Sequence, residues 1–115
     1  MTFEEFKISS KNIDFVKGGE EQELLFHSIC FLIKKDNNPK TINALQLLFD
    51  TYDIRIDIVD GIDSNNNKPI KKTAMNLLAV PLRVADALNK KAYKLALYEK
   101  NEKAKKEDDI IDLLK

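Results

Sequence analysis

Two residues with the chemistry of a nucleophile and its base, His27 and Cys30, lie three positions apart in a mostly apolar segment. Residues three apart on a helix are neighbours, so this imidazole and this thiol could form a catalytic pair. The segment from Leu24 to Ile33 has the composition of a buried helix, in which cysteine packs as a small hydrophobic side chain. No glycine turn that could stabilise an oxyanion is evident nearby. We therefore expect no catalytic residues. An enzyme that uses this pair is the weakest of three functional hypotheses, and the other two, given below, are binding functions.

The residue types that hold cofactors and metal ions are scarce. Three glycines in the whole chain do not make a glycine-rich phosphate loop, and one cysteine with one histidine cannot supply a four-ligand zinc site. Asp63, Asn65 and Asn67 have the spacing of the first three calcium ligands of a calcium-binding loop. However, Lys68 replaces its glycine and Ala74 stands where the bidentate glutamate belongs. We therefore predict no cofactor and no metal site.

Five aspartates make the stretch from 50 to 63 dense in carboxylates, and clustered carboxylates can bind a pair of catalytic metal ions. They fall across the end of a predicted helix, a strand and a loop, so the local pattern does not bring them together. We expect solvated side chains, as is usual for aspartate. The residues are Asp50, Asp53, Asp57, Asp60 and Asp63.

Charge is unevenly distributed, although 19 basic and 19 acidic residues cancel overall. From Lys68 to Lys106 there are eleven basic residues against three acidic ones, and an acidic segment follows. Such asymmetry is typical of a chain with a charged partner, and a basic stripe on a helix could follow a phosphate backbone. A solvated helix face explains the same residues. The candidate nucleic-acid-binding residues are Lys72, Arg83, Lys90, Lys91 and Lys94.

The C-terminal segment from Asp108 to Leu114 interleaves acids with aliphatic side chains. It resembles short linear peptides that dock into hydrophobic grooves of other proteins. The alternative is a last helical turn that packs on its own domain or on a twin subunit. The candidate partner-binding residues are Ile110, Ile111, Asp112, Leu113 and Leu114.

The elements that would position these residues are predicted from their periodicity. Apolar and polar residues alternate in Phe6–Ile8 and Ile13–Phe15 around a turn-rich loop, which predicts a hairpin. Helices are predicted over about 20–35, where a buried strand from His27 to Ile33 is the alternative, and from Pro39, capped by Asn38, to about Tyr52. Ile54–Ile58 alternates as a strand, residues 61–69 form a loop, and residues 71–98 have a helical period with a kink or break at Pro81.

The predicted fold is therefore α+β, a small single domain in the order β-β-α-α-β-α, with an N-terminal hairpin, one further strand and a long C-terminal helix. The globular domain would cover residues 1–99, and residues 100–115 would form a charged helical extension or a flexible tail. The broad apolar face of the last helix, from Ala74 to Ala96, exceeds what one small subunit can cover, so we expect a homodimer through it.

The absence of a convincing active site favours a non-catalytic accessory or regulatory protein that acts through protein–protein contacts. The alternative is a nucleic-acid-binding regulator that uses the basic face of the 71–98 helix. Seventeen lysines, ten asparagines and twelve isoleucines are typical of an AT-rich genome, such as that of a bacterium, its phages or its plasmids. A single cysteine and the lack of a long apolar run predict a cytoplasmic protein without a membrane segment.

Overall fold

The computed structural model describes residues 1–9, 12–13 and 15–115, and within them the chain forms four helices and three strands. The order is α-β-α-α-β-β-α, so the predicted β-β-α-α-β-α order is wrong. The helices are α1 (Phe3–Ser9), α2 (Glu20–Lys35), α3 (Pro39–Thr51) and α4 (Leu82–Leu113), and the strands are β1 (Phe15–Lys17), β2 (Arg55–Ile62) and β3 (Pro69–Asn76).

The N-terminal segment is the helix α1, although its alternating residues predicted a strand. The Thr2 hydroxyl accepts a hydrogen bond from the Glu5 backbone N–H at 3.1 Å, and the Glu5 carboxylate accepts one from the Thr2 N–H at 3.3 Å. This reciprocal capping box stabilises the first turn of a helix. Phe3 and Phe6, three residues apart, are both buried. The predicted first strand of the hairpin is therefore wrong, because cap and spacing both favour a helix.

The strand β1 lies at the end of the segment Ile13–Phe15 that was predicted to complete the hairpin. Three residues of the predicted hairpin, Ser10, Lys11 and Asp14, lie outside the described residues. β1 pairs in parallel with β3, with Phe15 opposite Ala74 in the register. Gly18 then turns the chain into α2 with a φ of 126°, a conformation that glycine adopts without strain.

The strand β3 replaces the first part of the predicted C-terminal helix. It pairs antiparallel with β2 along the whole length of both strands, from Arg55 opposite Asn76 to Ile62 opposite Pro69. β3 is the central strand of the sheet, in the order β1-β3-β2. A central strand is buried on both faces, so consecutive Ala74 and Met75 are both inaccessible and no alternation marks them as a strand.

The helix α4 begins after Pro81, which serves as its N-cap residue, so the chain has the predicted break at Pro81 and not a kink, although the element before it is a strand and not a helix. Proline lacks an N–H and is well tolerated at a helix start, where that donor has no partner. The Asn76 side chain accepts a hydrogen bond from the Leu78 N–H at 3.0 Å, which closes the turn between β3 and α4. The residues of the predicted apolar face therefore lie in a strand, a turn and a helix.

The helices α2 and α3 lie where the sequence predicted them. Asn38 caps α3 by accepting a hydrogen bond from the Lys40 N–H at 3.0 Å, and Pro39 occupies the first turn. The alternative strand from His27 to Ile33 is wrong, since these residues are the second half of α2. β2 includes the predicted strand residues 55–58 and continues to Ile62.

The core lies between α1, α2, α3 and the sheet, and phenylalanines fill its centre. The ring of Phe6 stacks on that of Phe49 at 5.3 Å between centroids and meets the edge of Phe26 at 6.3 Å. Aromatic rings at such distances add to the stability that comes from burying their area. The first half of α4 covers this core by packing Ala85 and Ala92 against α2.

The second half of α4 extends away from this core. All residues from 100 to 115 are exposed, and the Cα radius of gyration is 17.4 Å. A compact chain of this length would have a radius of gyration of about 13 Å. No helix in the described part of the chain is both long and apolar enough to cross a membrane.

Candidate protein-binding surface

The predicted partner-binding residues lie on the tip of α4, in its last turns. Residues Leu113 and Leu114 are 86% and 82% exposed, and Ile110 and Ile111 are more than half exposed. Asp112 pairs with Lys115 at 3.6 Å and is exposed as well. Because α4 has 32 residues, it is about 48 Å long, and its tip stands far from the core. The chain itself therefore leaves these four aliphatic side chains uncovered.

Two of the tip residues continue the face of α4 that packs on the core. Eighteen residues make five helical turns, so Ile110 has the same orientation as the buried Ala92, and Leu113 the same orientation as the half-buried Leu95. Between these pairs the same face carries Lys103, which is exposed. Ile110 and Leu113 thus lie on the helix face that packs against α2 nearer the core, but α2 does not extend as far as the tip.

The other two aliphatic tip residues belong to a second exposed line along α4, which we call the outer stripe. Its apolar members nearest the core are Tyr93 and Leu97, which are 69% and 44% exposed. Members are spaced alternately by four and three residues, as in one seam of a coiled coil. The outer stripe consists of Tyr93, Leu97, Lys100, Ala104, Glu107, Ile111 and Leu114.

A groove of about 340 Å³ lies beside the beginning of the outer stripe, between α2 and α4. Leu24 of α2, which is 55% exposed, forms one wall, and Tyr93 with Lys90 and Lys94 forms the other. Asn89 also lines it, and its side-chain oxygen is buried without a hydrogen-bond partner among the described residues. The groove combines apolar walls with a charged rim, where Asp86 lies beside the two lysines.

The five candidate nucleic-acid-binding residues do not form one face. Lys72 is in β3, where its side chain lies over Gly61, and the other four are in α4. Lys91 points toward Asp36, with 4.0 Å between the ammonium nitrogen and a carboxylate oxygen. Arg83, Lys90 and Lys94 share one side of α4, since seven and four residues separate them. The predicted basic face of a 71–98 helix is therefore reduced to these three side chains.

Asp36 joins α2, α3 and α4 through a polar network. The Thr41 hydroxyl donates a hydrogen bond to its carboxylate at 2.6 Å, and the Asn38 backbone N–H donates another at 3.0 Å. These two hydrogen bonds, with a smaller contribution from the charge of Lys91, hold the pKa of Asp36 below its ordinary value. Because the polar groups of this network are already paired with one another, we assign the network a structural role, which is to position the three helices.

The His27 and Cys30 side chains do not form a nucleophile–base pair. No hydrogen bond connects them in the described part of the chain, and His27 lies 3.9 Å from Glu23 on the exposed side of α2. Cys30 is half-buried, and that burial raises the pKa of its thiol. A raised pKa lowers the fraction of reactive thiolate, which is the opposite of what a catalytic cysteine requires.

The aspartates between 50 and 63 are dispersed, and most have local partners. Asp53 pairs with Arg55 at 3.2 Å, and Asp57 pairs with Lys17 at 3.5 Å. Asp60 pairs with Lys71, and Asp63 accepts a hydrogen bond from the Asn65 N–H within the β2–β3 turn. Among the described residues no group of three His, Cys, Asp or Glu side chains is arranged to hold a metal ion.

The predicted dimer face on the last helix is partly occupied by the chain itself, while Leu78 and Leu82 are 57% exposed. Ala85 and Ala92 are buried against α2, and Ala74 belongs to β3. Periodicity could not reveal this, nor that Leu24 would form a groove with Tyr93, because both depend on where α2 packs. The candidate functional surface is the outer part of α4 together with this groove. No protein-family model matches the chain, and no curated protein or solved structure matches it either.

Proposed function

We propose that this chain is a non-catalytic accessory or regulatory protein that acts through protein–protein contacts, with the tip of α4 as its docking element. The observation that supports this most directly is the exposure of Ile110, Ile111, Leu113 and Leu114 on an ordered helix that projects from the core. Isolated exposed aliphatics are common on protein surfaces, but four within five residues form a patch, which marks an interaction site.

The helical state of the tip favours binding. Burying two aliphatic side chains stabilises a complex by on the order of 3–6 kcal/mol. Ordering a flexible peptide costs about 1–2 kcal/mol per backbone residue, which would cancel that gain. Because α4 continues to Leu113, most of this ordering has already taken place in the free protein. A helical tip of this kind fits a partner with a hydrophobic groove.

The experiment is affinity capture from host-cell extract with the full chain and with an Ile110→Ser/Leu113→Ser variant. These two residues are not members of the outer stripe. We expect at least one protein to be retained by the full chain and lost, by tenfold or more, with the variant. The matched control is Leu47→Ser/Leu78→Ser, which removes two exposed leucines far from the tip. Identical sets of captured proteins for all three chains would rule out the tip as docking element.

A nucleic-acid-binding regulator is the second candidate. It is favoured by Arg83, Lys90 and Lys94, which share one side of α4 and form no ion pair among the described residues. A mobility-shift titration at several salt concentrations tests it. Binding through these side chains should weaken steeply as salt rises, because phosphate contacts release counterions. Affinity that is insensitive to salt, or unchanged in Arg83→Ala/Lys94→Ala, would exclude this function.

A further inference from the structure

The outer edge of β2, the side that faces away from β3, carries backbone groups without partners. The Asp63 N–H donates a hydrogen bond to the Lys68 carbonyl at 2.9 Å, so this pair is hydrogen-bonded, and Pro69 in the preceding pair has no N–H to donate. Hydrogen-bonded and non-hydrogen-bonded pairs alternate along an antiparallel ladder, so the even-numbered residues of β2 direct their N–H and C=O groups outward. No described residue supplies a backbone partner for these groups. The outward residues are Ile56, Ile58, Asp60 and Ile62.

This outer edge is exposed and is closed at one end only. Ile58 and Ile62, which point to the same face of the sheet, are 66% and 62% exposed. Ahead of Ile56, the Met1 ammonium group donates a hydrogen bond to the Ile54 carbonyl at 3.0 Å, which occupies the outward acceptor at that end. The free edge therefore runs from Ile56 to Ile62. Such an edge is a template for one more strand.

We infer that a second copy of this chain pairs with the first through β2, in antiparallel orientation, which joins their two sheets into one. The inference uses a surface other than the tip of α4 and goes beyond the proposed function. Side chains opposite each other in an antiparallel pair point to the same face, and successive side chains along a strand alternate between faces. A two-fold axis that relates the strands must therefore pass beside one residue and not between two. The registers with the greatest overlap are centred on Ile58 and on Val59.

Charge favours the register centred on Val59. It places Asp57 of the second copy opposite Gly61, and the aliphatic carbons of Lys72 lie directly over Gly61, within 2.9 Å of the position that a Cβ would occupy. Lys72 forms no ion pair among the described residues, so its ammonium group is free to meet this aspartate. The other register would place Arg55 of the second copy opposite Gly61, and Lys72 would then meet a like charge.

The remaining pairs of the register centred on Val59 are also complementary. Arg55 lies opposite Asp63 of the second copy, and opposite charges on facing strands stabilise their pairing. Ile56 lies opposite Ile62, so an exposed isoleucine at the end of one strand covers the half-buried start of the other. The outward residues then bond only to one another, whereas the other register requires the Ile54 carbonyl, which the N-terminal ammonium group already occupies.

Asp60 limits the strength of the association. The two copies of this carboxylate lie diagonally across the axis, and like charges on facing strands repel each other. Lys71 of the same chain pairs with each of them and reduces this repulsion. One pair of strands also buries less area than a standard protein interface of about 1,600 Å². We therefore expect a weak, reversible dimer that Asp60→Thr strengthens.

Sedimentation equilibrium over a hundredfold range of concentration tests the dimer. The wild-type chain should shift from monomer towards dimer, and Lys72→Glu should weaken the association at least tenfold because it places two acids together. The fold should tolerate this change, since Lys72 has no ion pair in the described part of the chain. The matched control, Lys103→Glu, changes the net charge equally on exposed α4 surface and should leave the association unchanged. Asp60→Thr should strengthen it at least threefold.

Cysteine substitution tests the register. Val59→Cys places two thiols directly opposite each other in a non-hydrogen-bonded pair, where the Cα atoms are about 4.5 Å apart and a disulfide can form. Ile58→Cys is the matched control, because its thiols lie on a diagonal in this register and directly opposite each other in the alternative one. Cys30 is common to both variants. Under mild oxidation the Val59→Cys chain should cross-link at least tenfold faster than the control.

A wild-type chain that stays monomeric throughout would overturn the inference. So would an association that Lys72→Glu leaves unchanged, or an Ile58→Cys chain that cross-links faster than Val59→Cys. A monomeric wild type that loses a captured protein with Lys72→Glu would assign the edge to a strand of a different protein and exclude the second copy as its occupant. The docking function of the α4 tip is tested separately, because the Ile110/Leu113 variant leaves β2 unchanged.

Discussion

At the scale of single residues, Asp36 is a charged side chain that is well integrated into the fold. Its side chain is 12% exposed, and its carboxylate accepts hydrogen bonds from Thr41 and the Asn38 backbone. Hydrogen bonds to a charged acceptor contribute more than those to a neutral one. Asp36→Asn keeps the shape of the side chain but removes its charge. We expect it to lower the free energy of unfolding by on the order of 1 kcal/mol at neutral pH.

The pH dependence of this effect has a definite sign. The folded-state pKa of Asp36 is lowered, so its contribution is fully present above the unfolded-state pKa and is lost as pH falls through the folded value. Urea unfolding of both chains should show a difference that is constant above about pH 5 and shrinks below about pH 4, near the unfolded-state pKa. A difference that grew in acid would contradict the assigned hydrogen bonds, and Asp50→Asn on exposed α3 surface serves as the control.

At the scale of elements, the sequence predicted those helices and strands whose environment is one-sided. α3 follows its cap and apolar spacing, α2 follows its mostly apolar composition, and β2 follows its alternation. β3 was missed because Ala74 and Met75 are both buried in a central strand, which removes the alternation. α1 was missed because the alternation of Phe6–Ile8 was interpreted as a strand. The Thr2 and Glu5 capping box, which the sequence also contains, predicts a helix instead. The tip residues were predictable from composition, whereas the groove and the outer stripe required the packing of α2.

The β2–β3 hairpin depends on its turn, where Asn67 has a φ of 57°. Asparagine tolerates this left-handed conformation, but a β-branched residue does not. Asn67→Val should therefore destabilise the chain by about 1 kcal/mol, while Asn67→Gly should be nearly neutral. Denaturant midpoints and amide exchange in β2 and β3 measure the effect. Asn65→Val, in the same turn without a positive φ, is the control, and equal losses at both positions would contradict the role of the turn.

At the scale of the whole molecule, the chain divides into a packed core and a projecting helix with different contributions to stability. Residues 108–115 are exposed throughout, so deleting them removes no contact with the core. At low concentration we expect the truncated chain to melt within about 2 °C of the full chain, because about 1 kcal/mol corresponds to several degrees in a domain of this size.

Partner binding should then separate the two chains, because the deletion removes the exposed aliphatic residues Ile110, Ile111, Leu113 and Leu114. The truncated chain should keep its melting temperature but lose the proteins that the full chain captures. Scanning calorimetry of both chains measures the first effect, and affinity capture measures the second. A drop of many degrees on truncation at low concentration would instead assign the tip to the monomer's own fold, in which case its aliphatic residues stabilise the chain and do not bind a partner.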